Sequence, residues 1–303
     1  MSDSDNKLAK YCLEHMASSD QLKNLLKSLD ETKSRSGTKK ELAEKIVYSI
    51  NDENPIDFVR RKFREQWSAI SEWSTEKIDN IVQVFKGENG DSLKGASWHK
   101  ASPSSLHRTL QCHARALMDG AKEEGSPRSL SEFLDFGKDI IKQEYLMTAR
   151  HDLIEDRIVK EFEDLIPEIG KTSLSDFVFA GVPFDLKVTT YKDAWREKAG
   201  NLSKDDKTSL ARDYFEDGDK GRARKEDEDG YGLNRIFVLI KDDNRWLDNP
   251  AGKLDELIKQ MKEAEKGGPL EVNVKVGKEK EERTIKCGSS CMTVGIRSRH
   301  NLI

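Results

Sequence analysis

Apolar residues recur at helical spacing near the beginning of the chain. Four leucines lie three or four positions apart, the period of one helix face: Leu22, Leu25, Leu26 and Leu29. A second helix is predicted to begin at Thr38, because Glu41 follows three residues later in the pattern of a capping box. This pattern predicts a small helical module over residues 1–54.

Residues 55–150 also favour helices, and from about residue 151 the pattern changes to mixed α/β. Five apolar side chains are core candidates in the helical stretch: Trp67, Trp73, Ile78, Ile81 and Phe85. The sequence HDLIEDRIVKEFEDLI (151–166) predicts a helix that leads into a strand–turn–strand segment over 175–190. Residues 151–303 are therefore predicted to form an α/β domain.

The second half of the chain carries further strand patterns. The run LNRIFVLIKD (233–242) is continuously apolar at its centre, which is typical of a strand inside a sheet. The segment AGKLDELIKQMKEAEK (251–266) predicts a helix. Three short strands follow, LEVNVKV, RTIKC and CMTVGIR, and the first two favour a hairpin. The expected fold class is α/β, a mixed sheet flanked by helices, with a largely helical N-terminal half.

Composition narrows the classes of protein. Of 303 residues, 35% are hydrophobic and 36% are charged, so the core is modest and the surface is unusually ionic. The net charge is −4, so any nucleic-acid-binding surface must be local. The first residues lack the pattern of a secretory signal, no apolar run approaches the roughly 20 residues of a membrane span, and the four cysteines are scattered. These features favour a reduced, cytoplasmic protein that does not bind membranes.

The segment SDFVFAGVPFDLKVTT (175–190) places charges inside a predicted hairpin. Apolar and polar residues alternate in its second strand, so Asp185 and Lys187 share one face. Because Pro183 cannot donate a hydrogen bond, a four-residue loop over 180–183 is expected, which sets Asp176 opposite Lys187. Directly opposite and diagonal neighbours on one face are within reach of each other. Asp176, Asp185 and Lys187 are therefore predicted to converge.

Two converging carboxylates are hard oxygen ligands that suit Mg²⁺. A neighbouring lysine can orient a water molecule and offset charge on a phosphate, so the constellation suits phosphodiester hydrolysis. The alternative interpretation is a surface salt bridge between Asp176 and Lys187 with no function.

Asp176, followed after eight residues by Asp185-Leu186-Lys187, resembles the acidic-x-lysine signature of the restriction-endonuclease-like nucleases. The resemblance implies that family's mixed-sheet core. It also implies that Asp176, Asp185 and Leu186 bind Mg²⁺, and that Lys187 positions the attacking water. A glutamate on the preceding helix often completes such sites. Glu155 is the best candidate, with Glu161 second, although a solvated helix face is the alternative. Ser-Asp replaces the family's Pro-Asp, and Asp rather than Glu stands at position 185.

A second resemblance lies in LKNLLKSLDETKSRSGTKKELAEKI (22–46), which is similar to a SAP-type helix–loop–helix module that binds DNA. Gly37 precedes a capped basic helix, where Thr38, Lys39 and Lys40 combine amides, the positive end of the helix dipole and two cations. That combination predicts a phosphate contact. The alternative is a helical hairpin that only packs on the rest of the chain.

The charged region 191–230 follows the predicted catalytic strand. By default such mixed charge predicts a solvated, partly mobile segment. Its basic residues are nevertheless candidates for DNA contacts: Lys192, Arg196, Lys198, Arg222 and Arg224.

The leading hypothesis is a Mg²⁺-dependent type II restriction endonuclease that cuts a specific double-stranded DNA sequence. A palindromic target would favour a homodimer. Two alternatives stay open, a repair or structure-selective nuclease and a non-catalytic DNA-binding protein with a nuclease-like core.

Overall fold

The computed structural model describes residues 3–30, 35–51, 53–70, 114, 129–170, 175–196, 198, 202–218, 234–240, 250–266, 268–276, 281–287 and 292–294. Two compact units divide the chain, one formed by residues 1–72 with 154–303 and the other by residues 73–153. Of the predicted core residues, Trp73, Ile78, Ile81 and Phe85 lie outside the described residues, whereas Trp67 packs against a core cluster of the first unit.

The described residues form eight helices. Their bounds are α1 Asp3–Met16, α2 Ser19–Leu29, α3 Lys39–Val47, α4 Pro55–Ile70, α5 Leu130–Glu161, α6 Asp193–Arg196, α7 Lys204–Gly218 and α8 Pro250–Glu265. The prediction of a largely helical first half is confirmed. Within this described part of the chain, no helix combines the length and the apolar character that crossing a bilayer requires.

Seven strands form one mixed sheet. They are β1 Ile166–Pro167, β2 Phe177–Phe179, β3 Val182–Thr190, β4 Arg235–Ile240, β5 Leu270–Val276, β6 Glu281–Cys287 and β7 Met292–Val294. Their order is β1-β2-β3-β4-β6-β5, and β7 also pairs with β4. Strand β2 is antiparallel to both of its neighbours, β1 and β3, while β3 and β4 are parallel. The α/β class is thus confirmed.

Strand β4 lies inside the sheet, as its continuous apolar sequence predicts. All six of its residues are buried, and it pairs with β3 on one side and with β6 and β7 on the other. The predicted hairpin of β5 and β6 is also confirmed, since the two strands pair antiparallel from Leu270↔Cys287 to Val276↔Glu281.

The N-terminal helices share their core with the sheet. Apolar side chains of α1 to α4 pack in one cluster with Ile166, Ile169 and Val178, which flank or belong to β1 and β2. The leucine pattern explains the helical side of this cluster, because Leu22, Leu25 and Leu26 are all buried. Residues 1–54 are consequently part of the larger compact unit.

Two local predictions are wrong. The helix expected over 151–166 ends at Glu161, and Ile166 with Pro167 forms β1. The region expected to be solvated contains the amphipathic helix α7, which joins the parallel strands β3 and β4. Its four buried residues pack in a cluster with strand residues of the sheet: Leu210, Ala211, Tyr214 and Phe215. A parallel pair needs such a crossover connection, and a helix is its usual form.

Candidate active site

The turn between β2 and β3 sets the register of the site. Phe179 pairs with Val182, so the loop consists of two residues, Ala180 and Gly181, and the predicted four-residue loop is wrong. Both loop residues have positive φ, +50° and +73°, as tight hairpin turns require. With the turn one residue earlier than expected, Pro183 lies beyond the closing pair, and its missing N–H no longer matters.

This register moves Asp176 relative to β3. Phe177 pairs with Phe184, and the Asp176 N–H donates to the carbonyl of the same Phe184, so Asp176 lies beside the segment Phe184–Asp185. The predicted position opposite Lys187 is therefore wrong by two residues. Asp185 and Lys187 share one face of β3, because strand residues alternate between faces. The Asp176 carboxylate reaches the main chain of Leu186, the residue between them.

Asp176 is held by the strands on both sides of it. Its backbone N–H donates to the Phe184 carbonyl (2.9 Å), and its carbonyl accepts from the Glu168 N–H (2.7 Å). Its carboxylate Oδ2 accepts a short hydrogen bond from the Leu186 N–H. The carboxylate of Asp176 thus lies directly beside the segment Asp185–Lys187.

Asp185 forms ion pairs with two cations. Its Oδ2 lies 2.7 Å from Lys187 Nζ and 3.1 Å from Arg235 Nε. The Asp185 side chain is 15% exposed. The ion pair that the sequence placed between Asp176 and Lys187 is therefore made by Asp185 and Lys187.

The two cations beside Asp185 differ in how firmly they are held. The Arg235 side chain is 6% exposed, donates from Nη1 to the Asn234 carbonyl (3.0 Å) and lies 5.6 Å from the centre of the Phe215 ring. The Lys187 side chain is 39% exposed. Lys187 can rotate into water at little cost, whereas moving Arg235 would leave a guanidinium buried without its carboxylate.

Arg235 contacts Asp185 but is absent from the residues that the sequence predicts for the site. The residue opens the buried run of β4 and pairs with Asp185 in the parallel register of β3 and β4. A charge at the head of an apolar strand is a visible signal that a counterion lies nearby. The partner could not be read from the sequence, because a crossover connection sets the register of a parallel pair and no tight turn reports it.

The donor set fits a hard divalent cation. The Leu186 N–H donates to the Asp176 carboxylate, and Asp185 is the residue of β3 that directly precedes Leu186. In an extended strand the N–H and C=O of one residue point to the same side, so the Leu186 carbonyl faces the side of β3 on which Asp176 lies. Two carboxylates with a backbone carbonyl are oxygen ligands of the kind that Mg²⁺ takes. A cation would compete with Lys187 for Asp185.

The two glutamates proposed to complete the site lie on α5. Glu155 is partly buried on this helix, and its role stays a prediction. Glu161, the second candidate, pairs with Lys262 and lies 3.6 Å from Arg157. The hydrogen bond from Lys262 is the main cause that lowers the pKa of Glu161. Glu161 therefore joins α5 to α8.

The beginning of α3 matches its sequence prediction. Glu41 donates its N–H to Thr38 Oγ1 (3.3 Å), and the Thr38 N–H donates to Glu41 Oε2 (2.8 Å), which completes the capping box. Lys40 is exposed and Lys39 is partly buried. Burial lowers the pKa of Lys39, and the carboxylates of Glu168 and Glu14 act against that shift. Lys39 thus faces acidic residues of its own chain.

The remaining basic candidates divide into three groups. Lys192 Nζ donates to the Asp213 carbonyl (2.8 Å), and Lys198 Nζ pairs with Asp206 (3.0 Å), so both contact α7. Arg196 ends α6, and its side chain lies outside the described part. Arg222 and Arg224 also lie outside the described residues.

Comparison with known proteins identifies no relative, because no family model, curated protein or solved structure matches this chain.

Proposed function

We propose that this protein is a Mg²⁺-dependent DNA endonuclease, specifically a type II restriction endonuclease that cuts a defined double-stranded sequence. One observation carries the proposal. The Asp176 carboxylate accepts from the Leu186 N–H, and the residues on either side of Leu186, Asp185 and Lys187, form an ion pair on one face of β3. This arrangement supports hydrolysis of a phosphodiester, in which negative charge develops on the phosphate.

Each residue has a distinct role in this proposal. Asp176, Asp185 and the Leu186 carbonyl would hold Mg²⁺, which supplies Lewis-acid stabilisation of the phosphate charge and makes water more acidic. Lys187 is exposed enough to leave Asp185, and its ammonium then donates to the attacking water or to a phosphate oxygen. Arg235 stays beside Asp185 and keeps that carboxylate in place.

Binding of DNA would use the basic residues around the site. The exposed Lys40 and the capped N-terminus of α3 would contact phosphates and supply affinity rather than sequence choice. Lys192 and Lys198 follow the strand that carries Asp185 and would extend the contact. A palindromic target would be cut by a homodimer that presents two such sites.

A plasmid digestion tests the proposal. The purified protein is incubated with supercoiled plasmids of known sequence, with Mg²⁺ or with EDTA. A restriction endonuclease cuts each plasmid at every copy of one short sequence, so it yields the discrete fragments that the positions of this sequence predict, and only with Mg²⁺. Cleavage only of gapped, flapped or damaged duplexes would instead indicate a repair or structure-selective nuclease.

A non-catalytic DNA-binding protein is the second candidate, and a specific observation favours it. Both Lys187 and Arg235 pair with the same oxygen of Asp185, as expected for an ion cluster that only stabilises the sheet. Salt-sensitive binding to duplex DNA, with no cleavage of any substrate in Mg²⁺ or Mn²⁺, would support this candidate over the nuclease.

A further inference from the structure

The segment that leads from β1 to Asp176 is anchored to the N-terminal helices at its beginning. The N–H groups of Ile169 and Gly170 both donate to the Met16 carbonyl, each at 2.9 Å. Gln21 Nε2 donates to the Ile169 carbonyl (2.7 Å). A Cβ added at Gly170 would lie 2.5 Å from the Ala17 carbonyl carbon, so only glycine fits this close approach. Hydrogen bonds and a close backbone contact therefore hold residues 169–170 against the turn between α1 and α2.

The same segment is anchored again at its far end. Tyr11 Oη and Ser175 Oγ share a hydrogen bond of 2.9 Å, and both residues are almost completely buried, at 5% and 1% exposure. Ser175 directly precedes Asp176. A buried hydroxyl pair resists separation, because each group would otherwise lose its partner without gaining water.

We propose that α1 belongs to the metal site and that Tyr11 is a positioning residue for Asp176. Tyr11 acts through Ser175, whose hydroxyl it holds, and so fixes the point at which the chain enters β2. This inference rests on the proposed function, since it gives Asp176 the role of a metal ligand. It extends that function to a helix far away in the sequence.

Metal binding by Asp176 depends on how firmly this residue is positioned. Groups that orient a metal ligand contribute to affinity although they do not touch the metal. The Asp176 backbone bonds to Glu168 and Phe184 define its plane within the sheet. The Tyr11–Ser175 bond holds the residue before Asp176 against the helical core, and so fixes where the Asp176 backbone begins.

The test compares two buried tyrosine hydroxyls. Tyr11→Phe removes the bond to Ser175 and keeps the ring. Tyr214→Phe is the matched control, because the Tyr214 hydroxyl accepts from the Lys192 N–H (2.6 Å) and the residue is also buried, but in the other core cluster. Mn²⁺ alone is titrated into the full-length parent and into each variant by calorimetry, at a temperature where melting curves show all of them folded.

The inference predicts that Tyr11→Phe weakens Mn²⁺ binding by about 10-fold, the lower end of the range for groups that orient ligands. Tyr214→Phe should keep the parent's affinity. Ser175→Ala should reproduce the loss, and the double variant with Tyr11→Phe should be no weaker than either single variant, because both remove one shared bond. Equal Mn²⁺ affinity in Tyr11→Phe and the parent, or an equal loss in Tyr214→Phe, would overturn the inference. A parent that binds no Mn²⁺ would refute the metal site itself.

Discussion

At the scale of single residues, Asp185 determines what the site can do. Its carboxylate balances a buried guanidinium and an exposed ammonium, so the four charged groups Asp176, Asp185, Lys187 and Arg235 sum to zero. A divalent cation that binds the two carboxylates must therefore displace positive charge. Lys187 is the group that can leave, because its side chain is far more exposed than that of Arg235.

Lys187→Ala tests whether Lys187 competes with a divalent cation for Asp185. Removal of the competing ammonium should tighten Mn²⁺ binding to the free protein by about two- to fivefold, the range for a partly exposed ion pair. DNA cleavage should nevertheless fall by at least about 100-fold, since one donor to the developing charge is lost. Calorimetry and plasmid digestion measure the two effects. Lys62→Ala, which removes a lysine from an ion pair with Glu65 on α4, is the control and should change neither. Weaker Mn²⁺ binding in Lys187→Ala would contradict the assigned role.

At the scale of elements, α7 connects β3, the strand that carries Asp185 and Lys187, to β4. The sequence indicates where α7 begins, because Ser203 and Asp206 have the spacing of a capping box. Ser203 Oγ accepts from the Asp206 N–H (3.1 Å), and Asp206 Oδ2 accepts from the Ser203 N–H (3.2 Å). The dense charges of the region masked an apolar face that repeats only twice, at 210–211 and 214–215.

Ser203→Ala should lower the free energy of unfolding by about 1 kcal/mol, because the first turn of α7 loses its cap. Urea denaturation monitored by circular dichroism measures the change. Ser203→Asn is the matched control, since asparagine caps helices as well as serine does, and it should retain the parent's stability. Equal stability of the alanine and asparagine variants would show that the cap contributes nothing.

The elements also show where sequence reasoning succeeds and fails. Helices α2, α3 and α8 and the strand β4 follow from local periodicity, and Asp185 and Lys187 share a face because strand alternation is local. The hairpin register was wrong because it depends on which two residues take positive φ, and Ala180 is an unusual choice for that. Arg235 was missed because its partner comes from a parallel strand about 50 residues away.

At the scale of the whole molecule, the helical N-terminus is part of the larger unit. The core of these helices includes residues of β1 and β2. The turn between α1 and α2 accepts hydrogen bonds from residues 169–170, in the segment before Asp176. The proposed DNA contact at α3 therefore belongs to the same compact unit as the proposed site. Within that contact, Lys40 is exposed, whereas Lys39 is partly buried near Glu168 and Glu14.

Lys40→Ala should weaken binding to all duplex sequences alike and leave the cleavage position unchanged. The slope of log affinity against log salt concentration should fall by about 0.9, the value for one phosphate contact. Fluorescence anisotropy at several salt concentrations measures both quantities. Lys27→Ala, an exposed lysine at the other end of the neighbouring helix, should leave the slope as it is. Identical slopes for Lys40→Ala and the parent would mean that α3 serves packing only.

The most direct test of the central claim is the cleavage of plasmid DNA by Asp185→Asn beside the parent, each with Mg²⁺. The account predicts that the parent yields discrete fragments and that Asp185→Asn yields none, because one of the two carboxylates is lost. Asp255→Asn, which alters an aspartate paired with Arg157 elsewhere, should cut at the parent's rate. Mg²⁺-dependent cleavage by folded Asp185→Asn at the parent's rate would contradict the account.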